Sequence, residues 1–363
     1  MTERQAKESQ PNFPAQAAPT AALSRYARQI AFAPFGPAGQ QRLAASHVVL
    51  IGCGALGSHV ADLLVRAGLG RLRIVDRDYL ELNNLQRQTL FDETDLAANL
   101  PKAEAAARKL RRINSHVQIE PFVGDLNHES IEYCLAGAHI ILDGTDNLQT
   151  RLLINDAAVK HRLPWVYGAC LGAQGIGLVI LPGGKPCLRC VLDEPVPPGR
   201  MDTCETAGIL APVVAAVAAF EVVEALKILS GNLAVVNRRL VSFNLWTNEH
   251  RELVLGGLAA GCDCCGRGNF EFLAGKGGLS TISLCGRDSV QIRPRTPGLK
   301  IDLAALADRL HAVGPVQHND FLLRLKLPAR SLEMTVFPDA RAIVKGTHNT
   351  DEARSLYAQF VGH

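Results

Sequence analysis

Three glycines between an apolar strand pattern and an amphipathic helix pattern restrict the fold of this chain more than any other feature. Residues 47–68 read HVVLIGCGALGSHVADLLVRAG, so Gly52, Gly54 and Gly57 follow the strand and open the helix. Residues without a Cβ permit a tight turn and let backbone N–H groups approach a phosphate, to which the helix N-terminus adds partial positive charge. The segment therefore predicts a phosphate-binding loop at the head of a nucleotide-binding domain.

The chain beyond the loop alternates strand-like and helical patterns, which favours an α/β fold with helices on both faces of a sheet. The first strand-like runs are 48–51, 72–76, 117–123, 139–143 and 165–169. They predict a doubly wound, Rossmann-like, mostly parallel sheet. Later segments predict strands at 175–182, 239–245 and 250–255, a Pro-rich loop at 191–206 and a buried Ala-rich helix at 207–230.

The pattern at each end of the chain differs from that of the central part. Residues 1–20 are polar and rich in Ala, Gln and Pro, which predicts a disordered tail. We interpret 21–268 as the nucleotide-binding domain and 269–363 as a separate small α+β domain, whose role the sequence leaves open. Its predicted elements are a strand at 281–293, a helix at 302–313, strands at 320–327 and 332–337, and a helix at 350–360.

Composition argues against nucleic-acid and membrane partners. Charged residues make up 20% of the 363 residues, the formal net charge is +3, and no local basic stripe is present. The longest uncharged apolar run, 207–220, is shorter than the roughly 18 residues that a membrane span needs. Because residues 1–20 lack the pattern of an export signal, we expect a cytoplasmic protein whose ten cysteines are reduced and serve metal binding or catalysis.

An aspartate at the end of the second strand-like run is placed to bind a nucleotide. At that position the carboxylate of Asp76 accepts hydrogen bonds from ribose hydroxyls. The glycine loop and Asp76 alone do not separate NAD, FAD and ATP, and NAD is the commoner ligand of this pattern. Cys53, inside the loop, is interpreted as a small loop residue rather than a nucleophile.

Three further residues favour a triphosphate with Mg²⁺ over a dinucleotide. Arg87 follows the second strand, Lys102 follows Pro101 at the start of a predicted helix (101–114), and Asp146 follows the fourth strand. Phosphoryl chemistry needs cations because charge neutralisation carries the rate, whereas hydride transfer does not need them. Taken singly, Arg87 reads as a surface ion pair, Lys102 as a solvated helix residue and Asp146 as a helix cap.

Two CxxC pairs predict a zinc site. Cys187 and Cys190 form one pair, and Cys262 and Cys265 form the other. Each pair can chelate one side of a tetrahedral Zn²⁺ as thiolates, and ordinary packing is the alternative. Cys264 is spare in this register, although an exchange of ligands is conceivable.

Together these motifs resemble the ubiquitin-activating-enzyme superfamily, and within it the bacterial adenylyltransferases of the MoeB, ThiF and HesA type. Those enzymes activate sulfur-carrier proteins for molybdopterin and thiamine biosynthesis. The resemblance covers roughly residues 24–266. Besides the glycine loop it rests on RYARQI at 25–30, DRD at 76–78, NLQRQ at 84–88, PK at 101–102, TDN at 145–147 and TCETAG at 203–208.

The resemblance implies that a small β-grasp carrier presents its C-terminal Gly-Gly carboxylate to the α-phosphate of ATP, giving an acyl-adenylate and pyrophosphate. It implies that Asp76 binds ribose, that phosphates lie on Asn84, Arg87 and Lys102, and that Asp146 holds Mg²⁺. It also implies that the zinc site is structural. The full nucleotide-binding set comprises Gly52, Gly54, Gly57, Asp76, Asp78, Asn84, Arg87, Lys102, Asp146 and Asn147.

The resemblance further implies two residues that act with partners. Arg28 would reach into the site of a neighbouring subunit, which implies a homodimer. Cys204 would accept the activated carrier as a thioester or acyl-persulfide, its thiolate stabilised by a helix N-terminus. The alternative for Cys204 is a loop residue without chemistry. A cysteine desulfurase or a rhodanese is the implied sulfur donor, and the catalytic set is Arg28, Arg87, Lys102, Asp146 and Cys204.

Other functions stay open from the sequence alone. An NAD-dependent oxidoreductase would use the same glycine loop, a related ATP-dependent dehydratase acts on tRNA, and a non-enzymatic module would bind ATP without releasing pyrophosphate. The pathway of the carrier is also open. Cys285 is interpreted as a buried structural cysteine, because the region after 270 is too short for a rhodanese domain. Cys134 and Cys170 are interpreted as core or near-core residues.

Overall fold

The computed structural model describes residues 23–183, 186–192, 207–255, 261–275, 281–284, 289–292 and 299–362. Within them the chain forms two β-sheets, one of eight strands and one of six. Each sheet has its own hydrophobic core, and a small cluster of side chains joins the two. The α/β fold class and the second small domain predicted from the sequence are confirmed, whereas the tail at 1–20 and the boundary at 268 stay predictions.

The larger sheet follows the predicted strands. Its members are β1 (His47–Ile51), β2 (Arg71–Asp76), β3 (Gln118–Val123), β4 (Ile140–Asp143), β5 (Trp165–Leu171), β6 (Gln174–Ile180), β7 (Leu240–Asn244) and β8 (Glu249–Leu253). The spatial order is β3-β2-β1-β4-β5-β6-β7-β8. The first five strands pair in parallel, and β6, β7 and β8 extend the sheet with antiparallel pairs.

Helices cover both faces of this sheet, which explains the continuous apolar run of β1. Val48 and Leu50 join a core with the helices of one face, and Val49 and Ile51 join a core with those of the other. The helices of this domain are α1 (Ala27–Ile30), α2 (Gly36–Ala44), α3 (Ala55–Ala67), α4 (Glu93–Ala97), α5 (Lys102–Ile113), α6 (Ile131–Leu135), α7 (Leu148–His161), α8 (Leu188–Val191) and α9 (Ala211–Ser230). Short 3-10 turns lie at Ser24–Tyr26, Leu82–Asn84 and Leu233–Val235.

The Ala-rich helix is shorter than the sequence predicts. It was expected over 207–230 and begins at Ala211, with Pro212 in its first turn. Gly208 has a φ of +74°, in the left-handed region, so the backbone there cannot continue a right-handed helix. Among the described residues, no helix combines the length and the apolar character that crossing a membrane requires.

The second domain is an antiparallel sheet backed by two helices. Its strands are β9 (Thr281–Leu284), β10 (Ser289–Ile292), β11 (Val316–His318), β12 (Leu323–Leu327), β13 (Leu332–Val336) and β14 (Ala342–Lys345), in the order β11-β12-β13-β14-β10-β9. Helices α10 (Leu303–Leu310) and α11 (Thr350–Phe360) pack on one face, and a 3-10 turn lies at Pro328–Arg330. The sequence missed β11 and β14, since three or four residues carry too little pattern, and the run 281–293 contains two strands rather than one.

The order of the larger sheet fixes where a ligand would bind. The chain runs outward from β1 in one direction to β2 and β3, and in the other direction to β4 and β5. In open sheets of this kind, ligands bind beyond the carboxyl ends of the strands at the point where the order reverses. That point lies between β1 and β4, where the glycine loop follows β1.

Candidate functional site

The glycine loop packs tightly on the segment that follows β4. Gly52 has a φ of +89°, and a Cβ there would overlap the backbone of Gly144. A Cβ at Gly57 would overlap the carbonyl of Gly52. At Gly54, which precedes α3, the only atom within 4 Å of a Cβ would be Nε2 of Gln88, at 3.9 Å. The loop is therefore closed against β4 and open in front of Gly54.

Asp76 joins the glycine loop to β2. Its carboxylate accepts hydrogen bonds from the backbone N–H of Cys53 at 2.6 Å and of Asp78 at 2.7 Å. Burial raises the pKa of Asp76, and the positive charge of Lys102 opposes that rise. Cys53 is fully buried, and burial raises the pKa of its thiol, which agrees with its interpretation as a loop residue.

Lys102 is the buried cation of this site. It begins α5, and only 2% of its surface is exposed. Its Nζ lies 3.3 Å from Oδ2 of Asp78, and its backbone N–H donates to the Asp78 carbonyl at 2.8 Å. The alternative interpretation of Lys102 as a solvated helix residue is therefore wrong, because the side chain is buried. A buried ammonium group requires a partner of opposite charge, which here is Asp78.

The 84–88 motif contributes side chains of different accessibility. Asn84 is buried, and its amide is engaged with Asn83 and with the backbone of Glu81, so it fixes the turn Leu82–Asn84. Arg87 is partly exposed, and its guanidinium donates to the Asn83 carbonyl at 2.7 Å. Gln88 is buried beside the loop, and its Oε1 accepts no hydrogen bond from a described residue. Gln88 lies within the NLQRQ motif, but the sequence predicts no role for it.

The segment after β4 presents Asp146 and fixes its neighbours. Asn147 caps α7 by accepting a hydrogen bond from the Thr150 N–H at 2.9 Å, so the cap is Asn147 rather than Asp146. Asp146 is exposed, and its carboxylate accepts no hydrogen bond within the part of the chain that the structure describes. An exposed carboxylate of this kind can serve as an oxygen ligand for Mg²⁺.

A buried ion pair that the sequence analysis missed supports this segment. Asp143 is fully buried and accepts hydrogen bonds from Thr145 at 2.8 Å and from Arg151 at 3.1 Å. Arg151 also donates to the carbonyls of Thr145 and Gly168. The sequence shows an Asp at a strand end and an Arg on the helix that follows it. It does not show that the two side chains meet, because that depends on the order of the strands in the sheet.

Glu221 of α9 is buried beside this pair. It is fully buried, and neither carboxylate oxygen has a hydrogen-bond partner among the described residues. Burial first, and then the negative charge of Asp143, raise the pKa of Glu221 well above its usual range, while Arg151 opposes the rise. Burial therefore favours the uncharged form of this side chain in the folded chain.

Arg28 lies far from the loop within one chain. It is exposed on α1, and its neighbour Gln29 donates to the carbonyl of Ala67, at the far end of α3. The glycine loop lies at the other end of that 13-residue helix, about 18 Å away along its axis. The structure does not bring Arg28 together with Lys102 or Asp146 in the same chain.

The two CxxC pairs meet. The Sγ atoms of Cys187, Cys190, Cys262 and Cys265 all lie within 4.8 Å of one another. The Cys187–Cys190, Cys187–Cys262 and Cys190–Cys265 sulfur pairs are separated by 3.8, 3.9 and 3.4 Å. Four thiolates about 2.3 Å from a tetrahedral Zn²⁺ would lie roughly 3.8 Å apart. The geometry of the four cysteines therefore fits a closed zinc site, with no position left for a substrate.

Cys264 is not one of the four cysteines and lies beside them, next to Asn155. Cys264 is buried, and its sulfur accepts a hydrogen bond from Nδ2 of Asn155 at 3.3 Å. Oδ1 of Asn155 accepts the backbone N–H of Leu188, which fixes the first CxxC pair. Neighbours of this kind orient metal ligands. Cys204 and Cys285 lie outside the described residues, so their predicted roles stay predictions.

Comparison with known proteins gives a family match and a relative that aligns over almost the whole chain. The model of the ThiF family matches residues 26–264. The sulfur carrier protein ThiS adenylyltransferase of Bacillus subtilis is 44% identical over 340 residues, which is 93% of this chain and 99% of that protein.

Two further comparisons cover less. The adenylyltransferase and sulfurtransferase MOCS3 of Aedes aegypti is 35% identical over 67% of this chain, and the alignment spans about half (55%) of that longer relative. The crystal structure of Escherichia coli MccB covers 67% of this chain and 72% of its own, with a TM-score of 0.57 and 22% identity. This last likeness concerns the fold alone.

The buried carboxyl of Glu221 gives a pH-dependent stability. The unfolded chain releases this proton near pH 4.5, whereas the pKa in the folded chain lies well above that value, so folding loses stability as pH rises above 4.5. We expect Glu221→Gln to remove this dependence, so that the variant gains Tm relative to the wild type between pH 5 and 9. Thermal unfolding of both proteins across that range checks this. Parallel Tm curves would contradict it.

The cysteine cluster gives a metal prediction. We expect the purified protein to contain one Zn²⁺ per chain, and Cys190→Ser to lose it together with several degrees of Tm, because a structural zinc site contributes folding free energy. Elemental analysis and thermal unfolding measure both effects. Cys134→Ser is the matched control, since Cys134 is buried outside the cluster, and it should retain the metal. Equal metal content in both variants would exclude this cluster as the site.

Proposed function

The chain belongs to the ThiF family, and on that premise we propose that it is an ATP-dependent adenylyltransferase that activates the C-terminal Gly-Gly carboxylate of a ubiquitin-like sulfur-carrier protein. One observation supports the proposal most strongly. Buried Lys102 and exposed Asp146 flank a glycine loop that is open in front of Gly54, and all of them lie at one switch point. A buried cation beside the phosphate-binding loop suits the larger negative charge of a triphosphate better than that of the pyrophosphate of a dinucleotide.

Each side chain in this arrangement has a chemical task. The N–H groups at the start of α3 bind phosphate, and Lys102 and Arg87 neutralise its negative charge while the carrier carboxylate attacks the α-phosphorus. The α–β phosphoanhydride bond breaks, and pyrophosphate leaves. Asp146 would hold Mg²⁺, which when bound neutralises further phosphate charge. Asp76 retains acceptor capacity for ribose, because each of its oxygens accepts one backbone N–H and has a further lone pair.

The carrier that fits best is a sulfur-carrier protein like ThiS, from the thiamine branch of the family. The Bacillus relative carries ThiS in its name and aligns over almost its full length, whereas the MOCS3 alignment spans about half of the relative.

We assign Zn²⁺ to the four cysteines as a structural ion. A cytoplasmic location, Cys204 as acceptor of the activated carrier, and a cysteine desulfurase or rhodanese as sulfur donor complete the proposal. No observation in the described residues favours the NAD-dependent or the tRNA-directed alternative over adenylation.

Adenylation gives the first test. ATP–pyrophosphate exchange should depend on a carrier ending in Gly-Gly. Lys102→Met should reduce the exchange rate by roughly 100-fold or more, which is the loss expected when one positively charged group that stabilises the transition state is removed. Lys109→Met is the matched control on the same helix, because Lys109 pairs with Asp92 and Asp95 outside the loop. Its exchange rate should stay within about twofold of wild type. Equal rates in both variants, or no exchange with any carrier, would refute the mechanism.

The location of Arg28 gives a second test. If Arg28 completes the site of a neighbouring copy, Arg28→Ala and Lys102→Met chains should complement each other when mixed. Random dimers would then contain about a quarter of the intact sites of wild type, since half are mixed and each mixed dimer has one complete site. Exchange assays of each variant alone and of the refolded mixture measure this. A mixture no more active than its parts would place Arg28 outside any shared site.

A further inference from the structure

The second domain packs on the side chain of Tyr79, which directly follows Asp78 of the larger domain. The ring of Tyr79 is almost fully buried. It packs in one cluster with three side chains of the second domain, which are Leu322, Phe337 and Ile343. The guanidinium of Arg324 lies 4.5 Å from the centroid of the ring, and Nζ of Lys345 lies 5.0 Å from it. The ring is therefore held by side chains of the second domain.

The backbone of Tyr79 pairs with the segment that leads into α5. Tyr79 and Pro101 form an antiparallel bridge. Next to that bridge, the N–H of Lys102 donates to the carbonyl of Asp78 at 2.8 Å, and Nζ of Lys102 lies 3.3 Å from Oδ2 of Asp78. The residue that the second domain holds is thus adjacent in sequence to Asp78 and paired one residue before Lys102.

Two polar contacts join the second domain to the same two segments. Lys345 pairs with Glu81, two residues after Tyr79. On the other segment, Nδ2 of Asn319 donates to the carbonyl of Asn99 at 2.9 Å. Asn99 has a φ of +50°, in the left-handed region that residues other than glycine adopt rarely. The second domain therefore contacts the backbone shortly before Lys102 at a position with an unusual conformation.

One loop of the second domain makes both kinds of contact. Oδ1 of Asn319 accepts the backbone N–H groups of Phe321 at 2.9 Å and of Leu322 at 3.0 Å, which fixes the amide of Asn319. Leu322 belongs to the Tyr79 cluster. The loop 319–322 thus packs toward Tyr79 and donates to Asn99, so it restrains both segments that meet at the Asp78–Lys102 pair.

We propose that the second domain positions Lys102 at the nucleotide site, and that Tyr79 and Asn319 are the positioning residues through which it does so. The inference rests on the proposed function, in which Lys102 neutralises phosphate charge. Misplacement of a catalytic group by about 1 Å can cost on the order of 100-fold in rate, so the position of a buried ammonium group matters. The Bacillus adenylyltransferase aligns over 93% of this chain, which includes most of the second domain.

Two pairs of variants of the full chain test the proposal. Tyr79→Ala removes the ring, whereas Tyr79→Phe keeps the ring and loses only the hydroxyl. Asn319→Asp keeps the acceptor that fixes the loop and loses the donor to Asn99. Asn349→Asp is its matched control, because Asn349 caps α11 by accepting backbone N–H groups, which an aspartate also does.

Each variant is made with Lys102 and with Lys102→Met, and calorimetric titration with MgATP is the measurement. With Lys102 present, we expect Tyr79→Ala to weaken MgATP binding at least about fivefold and Asn319→Asp about threefold, the range for residues coupled in one network. Tyr79→Phe and Asn349→Asp should stay within about twofold. With Lys102→Met, all four should stay within about twofold of that variant, because the effect acts through Lys102.

Dependence on Lys102 separates positioning from a general structural role. Losses of equal size with and without Lys102, or an equal loss in Asn319→Asp and Asn349→Asp, would overturn the proposal. Wild-type MgATP affinity in Tyr79→Ala or in Asn319→Asp would also overturn it. If thermal unfolding shows that Tyr79→Ala does not fold, the Asn319→Asp and Asn349→Asp pair decides. A wild-type protein that binds no MgATP would instead contradict the proposed function.

Discussion

The contact between the glycine loop and the segment after β4 determines the arrangement of the whole site. Gly52 and Gly144 approach so closely that a Cβ on either would overlap the backbone of the other. This approach closes one side of the loop and leaves the space in front of Gly54 open. It also brings Asp146, on the β4 side, to the same crevice as Asp76 and Lys102, on the β2 side. A nucleotide site formed from distant parts of the sequence thus depends on two residues that lack side chains.

Burial rather than the number of charges gives the site its electrostatic character. The chain carries a net charge of only +3, yet Lys102, Asp76 and Asp143 are nearly or fully buried within the described structure. In that environment each charge acts over a longer range than it would in water. Pairing of Asp143 with Arg151 and of Asp78 with Lys102 satisfies the charges that the fold itself needs. Asp146 is exposed and accepts no hydrogen bond from a described residue, so its carboxylate is not needed to stabilise the fold.

The sequence predicted the larger sheet well and the second domain less well, for a physical reason. The central strands β1 and β4 are buried along their whole length and read as almost continuous apolar runs, so their positions are visible without any knowledge of their neighbours. Short antiparallel strands such as β11 and β14 depend on pairing with distant segments, which no local pattern records. The same limit applied to the site. Residue type and spacing in the sequence were enough to single out Lys102 and the four cysteines. The positions of Arg151 and Gln88 at the site, by contrast, follow only from which strands and loops lie side by side.

The interface between the two domains follows from the need to cover a strand end. The segment after β2 carries Asp76 and Asp78, and without the second domain Tyr79 beside them would present an aromatic ring to water. The second domain buries this ring under Arg324 and Lys345, cations that the ring faces attract. Contact with the ring therefore also delivers positive charge to an acidic strand end. The second domain thus contacts the segment whose carboxylates are proposed to lie at the nucleotide site, through the aromatic ring next to them.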